Sequence, residues 1–235
     1  MLPILLVPGL NADARVFAQA MPALWPHGPV MIANHLQGEG VAAIAANILA
    51  GAPAEFALGG FSFGGYLSFE LLRQARERVR SLLLIDTTAR PDTADATEVR
   101  RRRIEHARAG KFGLVIEQSF ASSVHPENQS DSRLYAIHRA MAEANGPEVY
   151  VRHQLAIIDR PDSRPLLGSI GVPTLIVVGE ADEITPPDAA REMHNAIAGS
   201  RLEVIPGAGH FALLENPERV NAALRKWAGT GARAI

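Results

Sequence analysis

The chain contains no cysteine, which excludes disulfides, a thiol nucleophile and zinc–cysteine sites. It has only two lysines, Lys111 and Lys226, so arginine supplies nearly all of its basic side chains. That reads as compositional bias rather than function. Neither sign of charge is in large excess, because the formal net charge is −2. Nothing therefore pulls the protein toward nucleic acid or an anionic membrane surface. No apolar run approaches the length of a membrane span. The opening Met1-Leu2-Pro3-Ile4-Leu5-Leu6-Val7-Pro8-Gly9 is apolar but short, bears prolines and lacks a basic leader. It suits a buried strand better than a signal peptide, and a soluble cytoplasmic protein is expected. No histidine or carboxylate spacing suggests a metal site. The Gly59-Gly60 and Gly64-Gly65 pairs lack the Gly-x-Gly-x-x-Gly spacing of a dinucleotide loop. Neither metal nor cofactor is expected.

What is present suits one domain with a sizeable core: 235 residues, 47% hydrophobic and 20% charged. Leu-, Ile- and Val-rich runs alternate with helical patterns, which predicts a mostly parallel sheet of about six strands covered on both faces. The strands are expected at 4–7, 30–34, 56–61, 81–86, 174–178 and 201–205. The helices between them are expected at 41–50, 63–79, 187–198 and 213–227, the last starting near Ala212 and ending near Gly229. The segment 89–173 breaks this rhythm. It is charged and carries helical patterns at 98–109, 112–119, 132–144 and 147–158, so a helical cap inserted after the fourth strand is expected.

The sharpest motif is Gly60-Phe61-Ser62-Phe63-Gly64-Gly65, directly after the apolar Phe56-Ala57-Leu58. It reads as a strand turning abruptly into a helix with a serine at the apex. Side chains two residues before and after would collide in so tight a turn, which accounts for glycine at 60 and 64. Gly-x-Ser-x-Gly alone arises by chance in roughly one chain in ten of this length. Its weight comes from two loops much further along the chain.

A serine hydroxyl needs a base beside it, and the base needs a group to orient it. Both are supplied after predicted strands, in the order Ser, acid, His. One loop is Gly179-Glu180-Ala181-Asp182-Glu183-Ile184-Thr185-Pro186, and the other is Pro206-Gly207-Ala208-Gly209-His210-Phe211. Asp182 has rivals in Asp86, at the end of the fourth strand, and in its neighbours Glu180 and Glu183. The Gly-x-x-Asp-x-x-Thr-Pro spacing favours Asp182, leaving Asp86 as a strand-end hydrogen-bonding residue. Of the other histidines, His35, His138 and His153 are candidates for substrate contact only. An oxyanion would need two fixed donors, for which the backbone N–H groups of Phe63 and Leu10 are the candidates.

These residues resemble the α/β-hydrolase family, in its small, cofactor-free bacterial form that includes esterases, enol-lactonases and related carboxylester hydrolases. The resemblance spans almost the whole chain and is strongest at 60–65, 179–186 and 207–217. It implies the α/β-hydrolase fold, with Ser62 as nucleophile, Asp182 as acid and His210 as base. It also implies Leu10 and Phe63 as oxyanion donors and residues 89–173 as a cap over the site. Two departures stand out. Pro8-Gly9 occupies the place where His-Gly is usual, and the first strand matches the third of the family, so the N-terminal hairpin is expected to be absent or very short.

The expected reaction is hydrolysis of a small or medium carboxylic ester or lactone through an acyl-enzyme. Leu10, Phe61, Phe63 and Phe211 would form an apolar floor, with Leu114, Phe120, Tyr135 and Tyr150 contributed by the cap; Phe61, Phe211 and Tyr135 are the candidate substrate contacts. Alternatives on the same triad are carbon–carbon bond hydrolysis, with Arg133, Arg139 or Arg152 for a carboxylate, and perhydrolysis or acyl transfer. A non-catalytic, ligand-binding member of the fold is the alternative outside enzymes. The run Arg100-Arg101-Arg102-Arg103, flanked by Glu98 and Glu105, reads as a solvated helix face.

Overall fold

The structure, a computed structural model, describes residues 1–231. Six strands form one sheet: β1 (Ile4–Val7), β2 (Val30–Ile32), β3 (Phe56–Phe61), β4 (Val79–Ile85), β5 (Thr174–Gly179) and β6 (Arg201–Ile205). Their spatial order is β2-β1-β3-β4-β5-β6 and every pair is parallel. The alternation of side chains along each strand divides the core in two. Leu6, Phe61, Ile85 and Val177 join one apolar cluster, while Val7, Leu58, Leu84 and Val178 join the other. Both faces are covered, which is why the central strands read as continuous apolar runs rather than alternating ones.

Ten helices surround the sheet among the described residues: α1 (Met21–Leu24), α2 (Gly40–Gly51), α3 (Phe63–Ala75), α4 (Ala94–Arg108), α5 (Phe112–Ser123), α6 (Ser132–Ile158), α7 (Arg164–Leu167), α8 (Pro187–Ala196), α9 (Ala212–Glu215) and α10 (Pro217–Gly231). α1, α9 and α10 cover the first face; α2, α3 and α8 cover the second. The single final helix expected from sequence is two. Asn216 leaves helical geometry at φ −136°, and Pro217 restarts the helix at a first-turn position where a missing N–H costs nothing. The short α1 and α7 were also not expected, being too brief to show a period.

Four helices, α4 to α7, lie between β4 and β5, within the stretch expected to form a cap. α4, α5 and α6 pack on one another, and α6 also packs on α2. α6 is two segments meeting at Gly146, whose φ of 79° and ψ of 167° are not helical. The break falls where the sequence places it, because Pro147 lacks an N–H and its ring crowds the preceding turn.

The topology positions the site. The chain leaves β1 toward β2 and returns to β3 on the other side of β1. A crevice therefore opens at the carboxyl ends of β1 and β3, the place where ligands bind in open α/β sheets. Since all strands run parallel, the segments after β5 and β6 emerge on that same edge.

Candidate active site

Among the described residues, three that are not glycine have left-handed backbone geometry: Asn11 (φ 56°), Ser62 (φ 53°) and Asp86 (φ 45°). They follow β1, β3 and β4, all at the crevice edge. Such strain persists only where the surroundings impose it, and it gathers at functional sites. At Ser62 the cause is visible. A methyl on Gly64 would overlap the carbonyl oxygen of Val7, and one on Gly60 would overlap that of Gly64. The two glycines thus let β3 turn into α3 against the end of β1, with Ser62 at the corner. Its backbone is pinned by Ser62 N–H donating to Ile85 O (2.9 Å) and by Gly65 N–H and Thr87 Oγ1 donating to Ser62 O (both 2.8 Å).

From that corner Ser62 Oγ lies 2.8 Å from His210 Nε2, and His210 Nδ1 lies 2.8 Å from Asp182 Oδ2. Asp182 is 2% exposed and His210 5%. Asp182 Oδ1 accepts the N–H groups of Ile184 (2.8 Å) and Thr185 (2.9 Å), and its Oδ2 accepts the Thr185 hydroxyl (2.7 Å). Burial works to raise the Asp182 carboxyl, but His210 and the Thr185 donors outweigh it and hold the pKa below the usual value. The Asp182 carboxylate is therefore charged and held by four donors. The ring of His210 is flanked by Phe61 at 5.4 Å and Phe211 at 6.3 Å between centroids.

Asp86 takes no part in this chain of hydrogen bonds. Its Oδ1 accepts from Gly179 N–H (2.8 Å) and its Oδ2 from Ala212 N–H (3.3 Å), tying β4 to the end of β5 and to α9. Burial, and secondarily the charge of Asp182, push its pKa well above the ordinary range. Glu180 caps Gly207 N–H, and Glu183 is exposed at the rim.

Ser62, His210, Leu10, Phe61 and Phe211 line one cleft of about 330 Å³, within the range of small-molecule sites. Tyr135, expected to touch substrate, does not reach it. Its ring packs edge-on against Phe120 at 5.2 Å; His138, one turn along α6, does line the cleft, its ring beside Phe120 and Phe211. Phe120 itself is buried in the core, Leu114 is exposed, and only Tyr150 of the four cap aromatics and leucine lines the cleft. Arg133 and Arg139 lie on the surface in pairs with Asp131 and Glu143, while Arg152 bonds Leu36 O. The solvated reading of the arginine run also fails in part, since Arg100 and Arg103 line the cleft. Among the described residues no hydrogen bond engages the Leu10 N–H. That of Phe63, first in α3, has no intrahelical carbonyl to meet.

Two supporting residues escaped the sequence reading. Thr185 orients Asp182 through its N–H and its hydroxyl. Glu215 holds the His210 loop: its Oε1 accepts from Gly209 N–H (2.8 Å) and Phe211 N–H (3.3 Å), its Oε2 from His125 N–H (2.7 Å) and Asn128 Nδ2 (2.8 Å). The available signal was a lone acid closing the apolar Phe211-Ala212-Leu213-Leu214.

His35, His138 and His153 are buried, and burial lowers their pKa to about 4, about 4 and about 3. His35 and His153 stack at 5.0 Å; His153 Nε2 meets His35 O at 2.9 Å, and His35 Nε2 meets Gly9 O at 3.2 Å, beneath the loop carrying Leu10. These rings fold neutral. As pH falls below 6.5 the unfolded chain takes up protons that the native state refuses until near its lower pKa, so stability held above 6.5 is lost on acidification. Asp86, with its raised pKa, acts in the opposite sense. A His153→Gln variant, which keeps Asp86, is therefore expected to lose about 2 kcal/mol less stability than the wild type between pH 7 and pH 5. Urea unfolding at both pH values checks this, and equal losses would refute it.

No group of three or more histidine or acidic side chains among the described residues is placed to hold a metal ion. Residues 41–217 match the family model described as alpha/beta hydrolase fold. A pimeloyl-acyl-carrier-protein methyl ester esterase of Neisseria meningitidis serogroup A is 31% identical, over 94% of this chain and 75% of its own. The solved structure of a thermophilic esterase from Thermogutta terrifontis superposes with a TM-score of 0.89 at 32% identity, covering 99% of this chain and 91% of that one. An enol-lactonase from Burkholderia xenovorans LB400 shares the fold at a TM-score of 0.85, with 22% identity over 97% and 91% of the two chains. With a family match over most of its length and a relative 31% identical across 94% of it, this chain belongs to the alpha/beta hydrolase fold family.

Proposed function

We propose that this protein is a serine hydrolase that cleaves a small or medium carboxylic ester or lactone through an acyl-enzyme. The observation that carries the reading is the unbroken hydrogen-bonded line from Ser62 Oγ through His210 to buried Asp182, open to a cleft at the Ser62 end. The relatives support it: the Neisseria and Thermogutta proteins are named esterases. The 330 Å³ cleft sets the scale of the substrate.

The geometry performs the reaction in two halves. Ser62 Oγ attacks the carbonyl carbon while His210 Nε2 accepts the hydroxyl proton, and Asp182 holds the opposite Nδ1–H and stabilises the imidazolium. The carbonyl electrons move onto oxygen, where the N–H groups of Leu10 and Phe63 receive them at the positive end of α3. The tetrahedral species collapses, the C–O bond to the alcohol breaks, and His210 returns its proton to the leaving oxygen. Water, deprotonated by His210, then attacks the acyl-Ser62 carbonyl and releases the acid with Ser62 restored. In a lactone the leaving hydroxyl stays on the same molecule.

The test is covalent labelling of folded protein with a fluorophosphonate, followed by hydrolysis of 4-nitrophenyl esters of increasing acyl length. Stoichiometric labelling at Ser62 and a rate optimum at short or medium chains are expected. A folded protein that takes up no label is not a serine hydrolase.

A further inference from the structure

The arginine run divides according to helix geometry. Ala96, Val99, Arg100 and Arg103 follow the i, i+3, i+4, i+7 spacing that puts residues on one face of a helix, and all four line the cleft that holds Ser62 and His210. Arg102 lies off that face, 64% exposed and paired with Glu98. Opposite them on α6, Tyr150, Gln154 and Ile157 close the same end of the cleft at i, i+4, i+7 spacing.

Arg100 is built into this wall. Its Nε donates to Asp92 Oδ1 at 3.1 Å and its Nη1 to Gln154 Oε1 at 2.8 Å, and Gln154 Nε2 in turn donates to the Tyr150 hydroxyl at 2.7 Å. Asp92 also accepts from Arg160 at 2.9 Å, so one carboxylate answers two guanidinium groups. Arg103 is half-buried, and among the described residues it makes no hydrogen bond or ion pair. Among the described residues the one acidic side chain lining the cleft is Glu183, exposed at its rim. The α4–α6 end is thus net positive, partly walled by Ala96, Val99 and Ile157, and offers one guanidinium with unused donors.

We infer that this end of the cleft is a carboxylate subsite in which Arg103, backed by the fixed Arg100, recognises an acid group that the substrate carries in addition to its ester. The inference rests on the ester-hydrolase reading and names the substrate class for the same site. A planar guanidinium matches the two oxygens of a carboxylate with parallel hydrogen bonds, and low exposure strengthens that pairing over one in water. An ester whose acyl chain ends in a carboxylate would place its carbonyl at Ser62 and its acid at Arg103.

The experiment compares the 4-nitrophenyl monoester of glutaric acid with 4-nitrophenyl valerate, an uncharged ester of equal acyl length. The wild type is expected to favour the charged ester in kcat/KM. In Arg103→Met the charged-to-neutral ratio should fall by about 10- to 100-fold, the effect of removing a charge-assisted hydrogen bond. Arg102→Met, on the outward face, should leave the ratio where it was. Free glutarate should raise the melting temperature of the wild type but not of Arg103→Met, a readout that needs no turnover. An unmoved ratio together with an unmoved glutarate shift overturns the subsite while leaving the esterase standing. An equal or larger shift from inorganic phosphate overturns the carboxylate assignment. Failure of the hydrolase reading shows separately, as absent fluorophosphonate labelling of wild type.

Discussion

Replacing Ser62 with alanine is expected to lower kcat for an activated ester by about 10⁴- to 10⁶-fold. In the proposed reaction the hydroxyl is the attacking atom, and neither His210 nor water can take its place at that corner. A residue of catalysis remains, because the Leu10 and Phe63 donors and the binding cleft persist in the variant. The fold should be retained. Ser62 Oγ makes one hydrogen bond, to His210 at 2.8 Å, and the corner is held instead by backbone bonds and by the glycines at 60 and 64. Alanine also inherits the same positive φ as serine, so little strain is added. Steady-state kinetics beside thermal unfolding check both halves of the expectation. A folded Ser62→Ala protein that keeps more than a few per cent of the activity would remove Ser62 from the chemistry.

Asp182→Asn should cost about 10⁴-fold in kcat with little change in KM. The carboxylate accepts from His210 Nδ1, which leaves Nε2 unprotonated toward Ser62. An asparagine that turned its amide donor to Nδ1 would reverse the tautomer and take the base away. Asp86→Asn supplies the contrast. Asp86 bonds only backbone N–H groups of Gly179 and Ala212 in this region, and an amide oxygen can still accept one of them. Its loss should show mainly as reduced thermal stability, with kcat changed by less than about 10-fold. If Asp86→Asn instead abolishes turnover and Asp182→Asn spares it, the acid has been assigned to the wrong strand.

Much of this was legible from local pattern. Short-range sterics bind Gly60, Ser62 and Gly64 into one turn, so that motif announces its own backbone. Asp182 and His210 follow apolar strands in loops whose glycines and prolines mark where the strands stop. In an all-parallel sheet every such loop reaches the same edge, so three residues separated by as many as 148 positions could be gathered from strand order alone. Asp86 illustrates the limit. It also ends a parallel strand at that edge; loop spacing favours Asp182 over it, and in the folded chain Asp182 reaches His210 while Asp86 turns to Gly179 N–H.

The stretch between β4 and β5 was read less well for the same reason. Its helices were placed close to where they fall, but a helix pattern states which residues share a face and not what that face meets. Tyr135 and Arg103 both sit on helices whose sequence does not say what each face meets; packing turned Tyr135 against Phe120 and Arg103 into the cleft. Glu215 was silent too, because its partners His125 and Asn128 lie about ninety residues away in the chain.

Residue order alone was enough for the parallel α/β architecture, the strained serine corner and the two loops that carry its candidate partners. These depend on steric exclusions and periodicities acting over a few residues, which any chain with this sequence must obey. Which acid meets His210 Nδ1, which loops brace it, and which residues of α4–α6 face the cleft were decided by packing in three dimensions. Those outcomes depend on how elements far apart in the chain rotate and settle against one another, and a few tens of degrees of helix rotation turns an arginine from solvent into a binding site.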